Sequence, residues 1–333
     1  MHEITDTDAM FSVRQMPWHG LGEVLTDYPT RAEAQKIAHP WEPVQETLYR
    51  QVPGFDAQGL PTSTFEPVET HVGYSRSDNG FLLGVNKTSY EPILNDEMYD
   101  IAEAIEDGAK GEVQYETGGS LNGGSRVWLM LRLREPLTVK GDPNGATIPF
   151  YSLQNAHDGS ASFRGQATMI RVVCANTSQL ADLDARARGT EFKFHHSKNV
   201  KTRIEEACQA LAGWRAGLES WQIQMTEMVN TKVSKAGQQE FVERFIPGPP
   251  PGLGSKRTLE NVEVARDGLR LVMAGETQEG ISGTAYGLVQ AASEWSEWVR
   301  KAHTPETRFR RAVLDRNDVI SGAVKLAREA ALV

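Results

Sequence analysis

Near Ser197 the apolar pattern of this chain changes period, and few architectures accommodate the change. Before it, Val113–Leu121, Ser125–Leu133, Thr147–Asn155 and Gln166–Cys174 alternate like strands and are separated by Gly-rich or Asp/Asn turns. Shorter strand-like runs precede them at Val44–Val52, Glu69–Ser75 and Gly80–Asn86, and Asp78-Asn79-Gly80 between the last two predicts a tight hairpin. After Ser197 the period is helical. Val200, Ile204, Ala207, Leu211, Trp214, Leu218, Trp221, Met225 and Met228 fall at alternating steps of four and three, which predicts one long helix. Its seam faces either the core of its own chain or a second subunit. Helices are also predicted around Leu259–Met273, Thr284–Ala302, Thr304–Leu314 and Val319–Ala330. Strands in one block and helices in the next predict an α+β fold: an antiparallel β-sheet core, then a long helix and a helical C-terminal part.

Three helices interrupt the strand block. Thr30 and Glu33 have capping-box spacing and open a helix to Ala38. Asn95-Asp96 starts another, with Met98, Ile101, Ala102 and Ile105 on one face and an end near Gly108. A third is expected after the fourth central strand, capped by Asn176 or Thr177 and stopped at Gly189. Three consecutive prolines mark Pro247 to Ser255 as a linker. The expected organisation is an acidic α+β region at 1–109 sharing one core with 110–246, a linker at 247–255, and a helical region at 256–333.

With 39% hydrophobic and 24% charged residues in 333, neither wholesale disorder nor a fibre fits. No run reaches the ~18 apolar residues of a membrane span. Met1 to Met10 is acidic and polar, unlike a secretory signal, and Cys174 and Cys208 cannot build a disulfide framework. A cytoplasmic protein without cofactor is expected. The net charge of -9 is unevenly placed. Residues 1–109 carry 6 Lys+Arg against 19 Asp+Glu, whereas residues 110–203 carry 13 against 8. A basic segment within an acidic chain is compatible with a local phosphate-binding face.

The loop Gly118-Gly119-Ser120-Leu121-Asn122-Gly123-Gly124-Ser125 has part of a phosphate-loop spacing, but Gly124 stands where the lysine belongs and a strand follows. A hairpin turn is the better expectation. On the next strand Val127, Leu129, Leu131 and Leu133 share one face; Arg126, Trp128, Met130, Arg132 and Arg134 share the other, which Met169 and Arg171 extend if their strand is adjacent. Arginines around a tryptophan can hold backbone phosphates while the indole stacks on a base. The competing expectation places Trp128 in the core. His157-Asp158 in a turn could act as a base or bind a metal, although Asp158-Gly159 is ordinary turn chemistry. His195 and His196, being adjacent, cannot chelate together from a strand. Cys174 lies near an expected helix start, yet a buried thiol is the simpler expectation.

Tyr115 to Leu133 with its Gly118-Gly119-Ser120 turn, His157-Asp158-Gly159-Ser160, and Arg171-Val172-Val173-Cys174-Ala175-Asn176-Thr177 together resemble the phage/plasmid-like proteins carrying domain of unknown function 932. Trp18-His19-Gly20-Leu21-Gly22 and Thr284 to Val299 fit the same family, with Gln290 in place of an expected asparagine. The resemblance implies a gene of mobile elements and no mechanism. Likeness to single-strand annealing proteins is at fold level only. The expected function is sequence-tolerant binding or annealing of single-stranded DNA by a homo-oligomer. The alternatives are a noncatalytic protein-binding scaffold and a metal-dependent hydrolase or nuclease using His157 and Asp158.

Overall fold

The computed structural model describes residues 8–13, 22–108, 113–171, 176–179, 191–196, 214–304, 307 and 318–333. In chain order these give β1 (Met10–Val13), β2 (Glu23–Leu25), α1 (Arg31–Ala38), β3 (Pro43–Phe55), β4 (Pro61–Arg76), β5 (Leu82–Lys87) and α2 (Asn95–Gly108). Next come β6 (Val113–Leu121), β7 (Arg126–Leu133), β8 (Leu137–Thr138), β9 (Ala146–Ala156), β10 (Phe163–Arg171), β11 (Asn176–Gln179) and β12 (Glu191–Phe194). Helices α3 (Trp214–Asn230), α4 (Lys235–Phe245), α5 (Lys256–Met273), α6 (Ala285–Glu294) and α7 (Asp318–Ala330) complete the order. The fold class is α+β, with strands first and helices after.

The larger sheet has the order β11-β10-β9-β7-β6-β1-β2, with β12 on β10 and β8 on β9; the smaller is β3-β4-β5. Antiparallel pairing joins β1 to β6, β8 to β9 and β10 to β11, whereas β1 and β2 run parallel, a departure from the all-antiparallel expectation. After residue 197 the described residues form no strand beyond a single bridge between Lys232 and Thr284.

The helix expected from Asn176 or Thr177 is corrected. Residues 176–179 form a strand antiparallel to β10, with Arg171 opposite Asn176 and Ile170 opposite Thr177. Cross-strand hydrogen bonding overrides the capping propensity of Asn and Thr there. The rest of that helix, Cys174 and the seam positions Val200 to Leu211 lie outside the described residues.

Two compact units emerge: residues 1–131, 153–165 and 192–209, and residues 132–152, 166–191 and 210–333. In the first, Thr30 caps α1 in a complete capping box with Glu33. Helix α2 buries Met98, Ile101, Ala102 and Ile105, its expected apolar face. Both carboxylate oxygens of Glu42 accept from the N-terminal amides of α2, from Asn95 N at 2.7 Å and Asp96 N at 2.8 Å. They satisfy donors that helix geometry leaves open.

In the second unit, Leu218, Trp221, Met225 and Met228 of the expected seam are all buried on α3. The described part of the seam, from Leu218 to Met228, therefore faces the chain's own core. The side chain of Gln222 ties α3 to the Thr138 carbonyl at 2.6 Å. Helix α6 is buried along Ala285–Ser293 and ends in a π-helical turn at Trp295–Val299. Its first turn is capped by Thr284, whose hydroxyl accepts from Gly287 N and donates to the Ile281 carbonyl. Pro247 to Ser255 is irregular and largely exposed, linking α4 to α5, which Ser255 caps.

Candidate functional site

The motif residues of the first unit meet around two buried histidines. His157 is fully buried at the end of β9, in edge contact with the Trp41 ring at 5.5 Å between centroids. Asn95 fixes its tautomer. The Asn95 side-chain amide donates to the Trp41 carbonyl at 2.7 Å, so its Oδ1 is left to accept, and His157 Nε2 lies 3.0 Å from that oxygen. His157 therefore carries its proton on Nε2, while Nδ1 is buried with no hydrogen-bond partner. Burial, aided by the fields of His196 and His39, lowers the imidazole to about 3.

His39 is fixed in the same way. Its Nε2 faces the Gly119 carbonyl at 2.8 Å, which can only accept, so Nδ1 accepts from the Tyr99 hydroxyl at 2.9 Å. Burial lowers this ring to about 4. One neutral imidazole, His39, thus joins Tyr99 of α2 to the Gly119 carbonyl of β6, and the other, His157, joins Asn95 of α2 to the end of β9.

Arg76 supplies the buried charge. Its side chain is 4% exposed and pairs bidentately with Asp78, at 2.7 and 2.9 Å. The same guanidinium donates to the Gly123 carbonyl at 3.1 Å and lies 4.5 Å from the Trp41 ring centroid. It ties the β4–β5 turn, the glycine turn and the tryptophan together. Arg76 in turn holds the Asp78 carboxyl below its ordinary range.

The glycine turn is a packing device. Gly124 has φ +101°, and a Cβ there would stand 2.5 Å from Trp41 Cζ2. Only glycine allows both that backbone conformation and that approach. At Gly119 an added Cβ would stand 2.5 Å from Met10 Cβ and 2.7 Å from Trp128 Cη2. Ser120 is buried, accepts from Ala9 N and donates to Asp8. Gly118 pairs with Phe11 across β6 and β1.

His157 and Asp158 do not form a shared reactive pair. The imidazole turns inward, whereas the Asp158 carboxylate accepts from Ser160 N at 2.9 Å and closes its own turn at Gly159. Asn86 braces this turn by donating to the His157 carbonyl. The described residues contain no group of three His, Cys, Asp or Glu able to hold a metal ion.

On β7, Arg126 and Arg132 are half-buried and Arg134, just beyond its end, is exposed. Trp128 is 1% exposed and Met130 5%, so both faces of the strand's middle are covered. A base cannot reach the Trp128 ring without opening the core. Met169 and Arg171 lie on β10, which β9 separates from β7, so the expected extension of the β7 face does not form; the Cys174 position lies outside the described residues.

Trp41, Arg76 and His39 were not singled out by sequence, and Asn95 was read there only as a helix start. Arg76 had a faint signal, an arginine two residues before the aspartate of the Asp78-Asn79-Gly80 turn.

These features define an α+β protein whose recognisable motifs sit inside the fold as structural hydrogen bonds and tight contacts. The chain belongs to the family described as Domain of unknown function (DUF932), whose profile matches residues 82–320. Comparison with curated proteins and with solved structures gives no match for either. No described helix is long and apolar enough to cross a membrane.

Proposed function

We propose that this protein binds single-stranded nucleic acid without sequence preference and without catalysis, through cations of its basic central segment. The observation carrying this is the position of Arg132 and Arg134 at the end of β7, followed by exposed Lys140, in a segment whose lysines and arginines outnumber its carboxylates 13 to 8. Guanidinium groups in such positions contact phosphates and ignore base identity. Trp128 supports the strand from within and takes no part in stacking. The burial of His157 and the turn role of Asp158 favour binding over hydrolysis.

An anisotropy titration with labelled oligo-dT across salt concentrations, with and without magnesium, tests this. Each phosphate contact contributes about -0.7 to the log–log salt slope on single strands. Replacing Arg132 and Arg134 by alanine should therefore flatten the slope by about 1.4 and weaken all sequences alike. Absence of binding at low salt, or an unchanged slope in the folded double variant, would refute the proposal. Magnesium-dependent cleavage lost in His157→Ala would move the function to the hydrolase alternative.

A further inference from the structure

Strands β3 and β4 run well past the short β5, which pairs only with His71–Ser75 of β4. From Tyr49 to Phe55 and from Pro61 to Pro67 they form a two-stranded arm that no third strand joins among the described residues. Directly opposed residues of an antiparallel pair share a face. One face of the arm thus holds Arg50–Glu66, Val52–Thr64 and Gly54–Thr62, the first joined by an ion pair of 2.7 Å. The other holds the rows Tyr49–Pro67, Gln51–Phe65, Pro53–Ser63 and Phe55–Pro61, and contains no charge.

This second face is open. Tyr49, Phe55 and Phe65 are 60%, 76% and 68% exposed. At about 200 Å² per aromatic side chain, the three rings alone present roughly 400 Å². A patch of that size matches the largest that a typical monomer exposes, and such patches are often functional. A free two-stranded hairpin is also marginal in water, so an arm this long gains from being covered. Prolines 53, 61 and 67 remove backbone donors, which disfavours strand addition at the edges and leaves the face as the offered surface.

We propose that this face packs against the same face of a second copy of the chain, making a homodimer through paired arms. The rows are self-complementary. Each of the three aromatic rows sets one ring beside a smaller or unbranched residue: Tyr49 beside Pro67, Phe65 beside Gln51, Phe55 beside Pro61. A twofold axis along the arm, lying between the two faces, puts β3 of one copy over β4 of the other. Every ring then lands on the smaller member of its row, and Pro53 lands on Ser63. Such an isologous contact brings no like charges together. With the prolines and Gln51 included, each copy covers on the order of 600 Å², so the pair removes about 1,200 Å², the lower bound for a stable complex. The dimer should accordingly form in the micromolar range and dissociate on dilution. It is independent of the nucleic-acid function proposed above.

Sedimentation velocity of the full chain from about 1 to about 200 µM tests it, the range bracketing micromolar dissociation constants. The expected result is a monomer–dimer equilibrium whose dissociation constant rises about 100-fold or more in Phe65→Asp and in Phe55→Asp, through burial of an unpaired charge. Thr64→Lys, on the opposite face, should dimerise like the parent. Circular dichroism and melting temperature confirm that each variant is folded; these positions are exposed and touch no core. A monomer at every concentration would overturn the proposal and assign the face to a different occupant. So would a dimer that survives the folded Phe55→Asp/Phe65→Asp double variant, or one lost equally in Thr64→Lys.

Discussion

Mild acid should destabilise this protein through its buried histidines. In the unfolded chain an imidazole takes up a proton near pH 6.5. In the fold, His39 waits until about 4 and His157 until about 3. Between those limits the unfolded state binds more protons, so stability rises with pH and falls as pH drops below about 6.5. The contribution is fully present above the unfolded pKa and is lost towards the folded one. For each histidine the loss at pH 5 is about 2 kcal/mol, from 1.36 kcal/mol per unit across roughly 1.5 units. Two histidines lose about 4 kcal/mol, a large part of a typical 5–15 kcal/mol. His196, also lowered by burial, adds to the same slope. Urea unfolding followed by tryptophan fluorescence at pH 8, 6.5, 5.5 and 5 reads this directly. His157→Gln keeps a donor for Asn95 and removes one titrating group. Its stability deficit relative to the parent should therefore shrink by about 2 kcal/mol between pH 8 and pH 5. A deficit independent of pH would show that His157 is not a neutral buried imidazole.

Gly124→Ala should lose about 2–4 kcal/mol in chemical denaturation, because the left-handed backbone and the Trp41 ring both oppose a Cβ. Trp128→Ala should lose about 3–5 kcal/mol of stability as a core cavity while the folded variant keeps the parent's oligonucleotide affinity; an affinity loss of about 1–3 kcal/mol with intact stability would restore the stacking role. Thr284→Ala should cost about 1–2 kcal/mol by uncapping α6, readable as a lower urea midpoint with a native far-UV spectrum.

The capping box at Thr30–Glu33, the Asn79-Gly80 turn and the apolar face of α2 were legible because each is set by residues a few positions apart. β7 was legible as a strand and misleading as a surface. Its alternation placed arginines beside Trp128 and Met130, and two large apolar side chains on the supposedly polar face were the sign that it is covered. β4 is longer than its sequence suggested, since Pro61 and Pro67 count against a central strand yet are tolerated on an arm with free edges. The buried site was not legible. Asn95 and His157 are separated by 62 positions, and only the arrangement of α2 and β9 brings them within 3.0 Å.

The position of β1 has a consequence for synthesis on the ribosome. Residues Met10–Val13 pair with β6, whose Thr117 donates to the Phe11 carbonyl across a sequence separation of 106. At roughly 5–20 residues per second, β1 leaves the ribosome on the order of 5–20 s before its partner exists. During that interval Phe11, which ends fully buried, has only the three-residue β2 to pair with. Closing so long a loop then costs about 4 kcal/mol in chain entropy. The first unit therefore cannot mature in the order in which it is made, and its earliest strand is a natural client for a holdase until residue 121 has emerged.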